Sequence, residues 1–297
     1  MSLADQILQY VLTGITVGSI YAMVALGFNI IYNSTGIINF AQGEFVMLGG
    51  MIMVFFSMAL KLPLAIGFAG SVILVTLLGV LLERLTIHPL RNPDVITLII
   101  ITLAASILFK GGAMFIWGKE AVTLRPFSGD HPIFIFGATI LPQTLWILGI
   151  TLAVVVALGL FFEFTVFGKA MRACAVNRMA ASLMGINVKQ MVMVSFALSA
   201  ALGAVAGIII TPISLMEYDK GAIMGLKGFG AAVLGGLGSG TGAVLAGFIL
   251  GILESLGAGL IHSGFKDAIA LFVLLMVLFF RPSGLMGGRE AGKLKKF

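Results

Sequence analysis

Nine apolar stretches, most of them about as long as a bilayer is thick, leave little sequence in this chain for anything else. They run over residues 7–31, 37–60, 64–82, 95–117, 143–162, 191–210, 221–237, 243–261 and 268–280. A helix rises about 1.5 Å per residue and a hydrocarbon core is about 30 Å deep, so about 20 apolar residues make one crossing. Of the 297 residues, 60% are hydrophobic and 10% are charged. A soluble domain carries about 45–50% and about 25%, so a bilayer rather than water must solvate this surface. The expected fold is therefore all-α, a polytopic membrane helical bundle with eight to ten crossings, nine on this count, in a single domain over 1–297. The last three stretches are short, and one of them suits a re-entrant segment. The first lacks a basic lead and a cleavage site, so it is expected to stay as a helix.

The basic residues fall unevenly between these stretches. Arg84 and Arg91 lie in the loop 83–94; Lys169, Arg172, Arg178 and Lys189 in the loop 163–190; Arg281, Arg289, Lys293, Lys295 and Lys296 in the tail 281–297. Those 11 stand against six on the opposite side, Lys61, Lys119, Arg125, Lys220, Lys227 and Lys266, with Lys110 inside the stretch 95–117. Cationic loops resist translocation, so the first group belongs in the cytoplasm. An odd number of crossings then puts the N-terminus outside and the C-terminus inside an inner (plasma) membrane. The net charge of +6 is thus a topology signal. It does not form the continuous stripe that would track nucleic-acid phosphates. Cys174, alone of its kind and in a cytoplasmic loop, reads as a reduced, inert thiol.

Two glycine-rich segments interrupt the apolar pattern, one in each half. The first, residues 38–50, holds Asn39, Gln42, Gly43 and Glu44 within the cytoplasmic half of the second stretch. An ionisable group at that depth costs about 2.5–3.5 kcal/mol on insertion scales, so it normally faces a bundle interior or a water-filled path. The second holds Gly235, Gly236 and Gly238, with Glu254 following. Paired glycine-broken segments are the pattern of repeats enclosing a midplane site, and these eight residues are the candidates for a substrate path or gate. The alternative is that the polar residues glue helices together and the glycines form a packing seam. In the cytoplasmic loop, Asn177 can cap a short helix over residues 178–184 that Gly185 ends in the left-handed conformation. Such a helix would expose small residues and one cationic side chain, which suits a protein groove or, alternatively, the membrane surface.

Together the run 38–50, the loop 172–188 with Ala180-Ala181 before Gly185, and the run 233–246 resemble the branched-chain amino-acid permease family of ABC importers, over nearly the whole chain. Family members often carry His where Gln42 stands and an acidic residue where Asn177 stands. The resemblance implies a transport subunit with no catalysis of its own. It implies that residues Asn177, Arg178, Ala180, Ala181, Gly185 and Ile186 form a coupling helix docking on an ATPase. It further implies a second, related permease chain, two ATPase subunits that use ATP and Mg, and a solute-binding protein outside, with no cofactor bound by this chain. Other solutes, such as a sugar, urea or a short amide, fit the wider superfamily. An ion-coupled secondary transporter would instead use Glu44 and Glu254 as carriers. The histidines His88, His131 and His262 lack metal-ligand spacing, and the tail run from Gly287 to Gly292-Lys293-Leu294 lacks the Ser/Thr of a phosphate-binding loop.

Overall fold

In a computed structural model, residues 3–90, 94–135 and 137–287 are described. Arg91 and the tail cations Arg289, Lys293, Lys295 and Lys296 lie outside them. The described helices are α1 (Leu3–Thr35), α2 (Gln42–Val54), α3 (Leu64–Leu82), α4 (Val95–Trp117), α5 (Pro142–Phe164), α6 (Val166–Val176), α7 (Arg178–Leu183), α8 (Val188–Ile210), α9 (Lys220–Gly235), α10 (Gly240–Leu260) and α11 (Lys266–Phe280). Single π-helical turns extend α2 through Phe55–Ala59 and α3 through Glu83–Ile87. Among the described residues, eight helices, two of them counted with the turns that extend them, are long and apolar enough to cross a membrane; α9, at 16 residues, is the remaining one of the nine expected segments. Chemistry local to the sequence starts several of them. Asp94 caps α4 by accepting from the Thr97 amide at 3.3 Å, and the Thr97 hydroxyl and amide hold its carboxyl below the usual range. Thr165, Asn187 and Ser239 cap α6, α8 and α10 in the same way.

Helices α1, α2 and α8 form the buried centre, whereas α3, α4, α5 and α11 turn most of their residues outward. The most extensive seam joins α1 to α10, which run antiparallel. A Cβ on Gly14 would sit 2.6 Å from the Ile252 Cα, and one on Gly18 would sit 2.8 Å from the Phe248 Cα. With no apolar contrast to lipid, such close backbone packing is what holds membrane helices together.

The bundle has two distinct ends. At the basic end Thr35, Glu83, His88, Arg178 and Lys189 gather around one depression. At the other end the Gln9 side chain bonds Thr139 at both its atoms, and Val122 bridges Met216. Here the apolar patch near 133–136, too short to span, forms a hairpin of β1 (Ile133–Ile135) and β2 (Ala138–Ile140). The first described residues lie at the hairpin end, and the last, Gly287, packs on Gly236 at the basic end.

The structure departs from the sequence reading at the second stretch. Residues 37–60 were expected to form one crossing with any interruption at its glycines, yet α1 runs on to Thr35, Gly36 turns at φ 68°, and helix resumes only at Gln42, ahead of Gly43. Asn39 stabilises the break: its Oδ1 accepts from the Ala41 amide at 3.1 Å, and its carbonyl accepts from Gln42 at 3.1 Å. Gln42 bonds Ser199, eleven residues into α8, and lies against Gly27, eight residues before the end of α1. At about 1.5 Å per residue those positions are about 12–17 Å from the basic end. That is near the middle of a core about 30 Å thick. The first turn of α9 starts at the same depth, because Gly221 and Gly225 pack on Gly43.

Candidate functional site

Two helices, α2 and α9, thus begin inside the membrane with their first turns in contact, and Glu44 sits where they meet. It is the third residue of α2 and is 1% exposed. The Ser106 hydroxyl on α4 donates to Oε1 at 2.9 Å, while Oε2 is buried with no hydrogen-bond partner. A Cβ on Gly221 would lie 2.4 Å from Oε2, so the carboxylate fills the space a side chain would need. The start of α9 offers no side-chain cap of its own. Both helix starts carry partial positive charge, which favours an anion there. Lys110, one turn beyond Ser106, lies 5.4 Å from the Tyr218 ring centroid and acts on the same carboxylate through space.

The neighbouring residues divide into braces and open positions. Gln42 is a brace: its Nε2 donates to the Ser199 carbonyl at 3.1 Å, and the Ser199 hydroxyl contacts both its Oε1 and the Gly27 carbonyl. One hydroxyl proton serves only one of those acceptors at a time. A Cβ on Gly27 would come 2.2 Å from Nε2, so glycine is required there. Asn39 is half committed. Its Oδ1 holds the α2 start, whereas Nδ2 is buried and unpartnered. Within one helix break, then, sit an unsatisfied donor and an unsatisfied acceptor.

This arrangement has a known setting. Residues 10–280 match the family described as the branched-chain amino acid transport system, permease component. The chain belongs to that family. It is 33% identical over 97% of both chains to the high-affinity branched-chain amino acid transport system permease protein LivH of Escherichia coli. It is 34% identical to BraD of Pseudomonas aeruginosa, described in the same words, over 97% of this chain and 98% of that one. A probable branched-chain amino acid transport permease protein LivH of Methanocaldococcus jannaschii is 28% identical over 91% and 89%. The chain is thus a multi-pass membrane permease component of a branched-chain amino acid transport system.

Within this permease the second glycine cluster is placed away from Glu44. Gly235 packs on Gly242, and Gly236 and Gly238 adopt φ of 100° and 94° in the turn between α9 and α10, at the basic end. Asn29 of α1 clamps that turn, donating to the Ser239 carbonyl at 2.9 Å and accepting from the Gly238 amide at 3.2 Å. Asn33 donates to the Gly238 carbonyl at 3.1 Å. The two halves therefore do not enclose one site between matching glycine breaks. Glu254 stands in yet another cluster, accepting from Tyr21 at 2.9 Å, Lys227 at 2.8 Å and Lys266 at 3.2 Å. Lys227 also reaches Asp267 at 2.7 Å. Sequence reasoning passed over Ser106, Tyr21, Asn29 and Asn33. Only the two asparagines left a signal, one helical turn apart inside an apolar stretch.

In the loop 163–190 the expected helix is present. Asn177 accepts from the Ala180 amide at 3.0 Å, α7 follows, and Gly185 turns at φ 84°. Its outward face differs from expectation. Ala181 is buried within the chain, whereas Met179, Leu183 and Met184 are at least three-quarters exposed. Large apolar side chains form this patch, Arg178 and Ala180 border it, and Ile186 tucks partly under it. Cys174 is buried just before, and burial pushes its thiol pKa up, which suits an inert thiol.

Proposed function

We propose that this chain carries branched-chain, or related hydrophobic, amino acids into the cytoplasm through the break between α2 and α9. It works beside a second, related permease chain, two ATPase subunits that hydrolyse ATP with Mg, and a solute-binding protein. It lies in the inner membrane with its N-terminus outside and C-terminus inside, as the distribution of Lys and Arg favours. The likeness to LivH and BraD supports the substrate class.

The observation that carries the site is the pair of unpartnered buried atoms, Glu44 Oε2 and Asn39 Nδ2. A zwitterionic amino acid supplies the complement. Its ammonium donates to the glutamate, and its carboxylate accepts from the asparagine and faces two helix starts. Phe40, in the turn just before α2, and Phe229 of α9, whose ring centroids are 6.1 Å apart, provide apolar surface for an aliphatic side chain. The glycine contact of Gly43 with Gly221 and Gly225 lets α2 and α9 separate without unlocking side chains. The exposed Met179, Leu183 and Met184 of α7 form the docking patch for the ATPase, whose closure moves α6 and α8 on either side.

The experiment is uptake of radiolabelled leucine into vesicles containing the complete transporter, at matched protein levels. Glu44→Gln should insert and assemble normally with uptake reduced, and Glu44→Ala should lose it more fully. Wild-type uptake by both variants would make Glu44 a bystander. Loss of folded protein in both would make it a structural contact.

A further inference from the structure

Between α1, α5, α6 and α10 a groove of about 780 Å³ opens at the basic end, away from Glu44. Its deep wall includes Leu26, Val155 and Leu245, and its rim includes Asn33, Arg172 and Thr241. From Leu26 to Asn33 the groove follows seven residues of α1, about 10 Å along the helix. One leaflet of hydrocarbon is about 15 Å deep, so the slot runs through most of the cytoplasmic leaflet. The volume falls within the range of roughly 300–1,000 Å³ typical of ligand clefts.

The rim is electrostatically unfinished. Asn33 is committed to the Gly238 carbonyl at 3.1 Å, but Arg172 makes no ion pair among the described residues. Its helix, α6, carries Lys169 and Arg172 beside exposed Val166, Phe167 and Val176. That is the make-up of a helix lying in a membrane surface. An apolar slot of leaflet depth beneath an unpaired guanidinium, with Lys169 on the same helix, matches an amphiphile with a negative head. Basic pockets between membrane helices on the cytoplasmic side bind acidic lipid headgroups for this reason.

We propose that this groove holds an anionic phospholipid, an acyl chain lying beside Leu26, Val155 and Leu245 and the phosphate at Arg172. The lipid fills the wedge between α1 and α5 and anchors α6, which leads directly into α7. It thereby steadies the apolar patch of Met179, Leu183 and Met184 on the membrane surface.

The test uses the complete transporter, delipidated in detergent and titrated with phosphatidylglycerol or phosphatidylcholine. Bound lipid is counted by native mass spectrometry, and melting temperature is followed in parallel. Phosphatidylglycerol should be retained preferentially and raise the melting temperature. Arg172→Gln should weaken its binding about fivefold, the loss of about 1 kcal/mol per basic residue at a membrane surface. Gly159→Trp should fill the groove and remove both lipids; Gly159 lines it, and a Cβ there meets no atom within 4 Å. Equal retention of the two lipids, or unchanged binding in Arg172→Gln, overturns the proposal. So does loss of the partner permease from Gly159→Trp complexes, which would assign the groove to the subunit interface.

Discussion

Two of the carboxylates that the permease buries to the same degree, Glu44 and Glu254, are surrounded in opposite ways. Glu254 is 1% exposed and fully partnered, by a tyrosine and two lysines drawn from α1, α9 and the start of α11. Glu44 is also 1% exposed, yet only a serine holds it, and one of its oxygens faces glycine. A buried charge is tolerated when paired and hydrogen-bonded. Glu254 meets that condition within the chain and reads as a staple. Glu44 leaves it half met, and the missing partner is the place for a substrate. Both were candidates for the substrate path on sequence alone; their surroundings separate them.

The comparison can be broken most forcefully at Glu254. Glu254→Ala strips Lys227, itself 10% exposed, of its buried partner, and breaking such a pair costs about 3–5 kcal/mol. Folded protein recovered from the membrane should fall severely, and Lys227→Met in the same chain should restore part of it. Normal insertion with transport lost would instead make Glu254 the functional acid. A smaller effect is expected at Gly221. Ala there places a methyl against Glu44 Oε2, and overpacking costs about 1–3 kcal/mol. Leucine uptake should drop about tenfold with most of the protein still folded. Gly111→Ala, where a Cβ meets nothing within 4 Å, should transport normally. Equal uptake by both glycine variants would show that the space beside Oε2 is unused. The smallest effect belongs to Ser106→Ala, which removes the one bond to Oε1. Polar contacts between membrane helices average about 0.6 kcal/mol, so melting in nanodiscs should hardly move. Uptake should fall only about threefold. A large loss of stability would place Glu44 with Glu254 among the staples.

How much of this was legible depended on how local the cause is. The cap at Asn177 and the stop at Gly185 act within one helical turn, and both were readable before any fold was known. Eight long apolar runs could be read for the same reason, since length and composition suffice. The break before Gln42 could not. Residues 38–50 carry the glycines and polar groups of an interruption, but its position is set by the Asn39 turn together with the bond from Gln42 to Ser199, a contact spanning 157 residues. The outward face of α7 was misjudged because small residues suggested close docking. Ala181 is small because it packs inward. Lys227 was counted among loop cations, although it ends in a buried network 27 residues from its first partner.

The shortness of α9 has a consequence for the order in which the protein is made. Its 16 residues include five glycines and two lysines, and a lysine at the centre of a spanning helix costs about 2.5–3.5 kcal/mol on insertion scales. The charges that neutralise Lys227 are Glu254 on α10 and Asp267 on α11, both synthesised later. A ribosome that has emitted α9 has therefore not yet supplied what lets it settle in lipid. It must wait for the final two helices before it can dock, and the half of the Glu44 pocket that it supplies closes only when the chain is nearly complete.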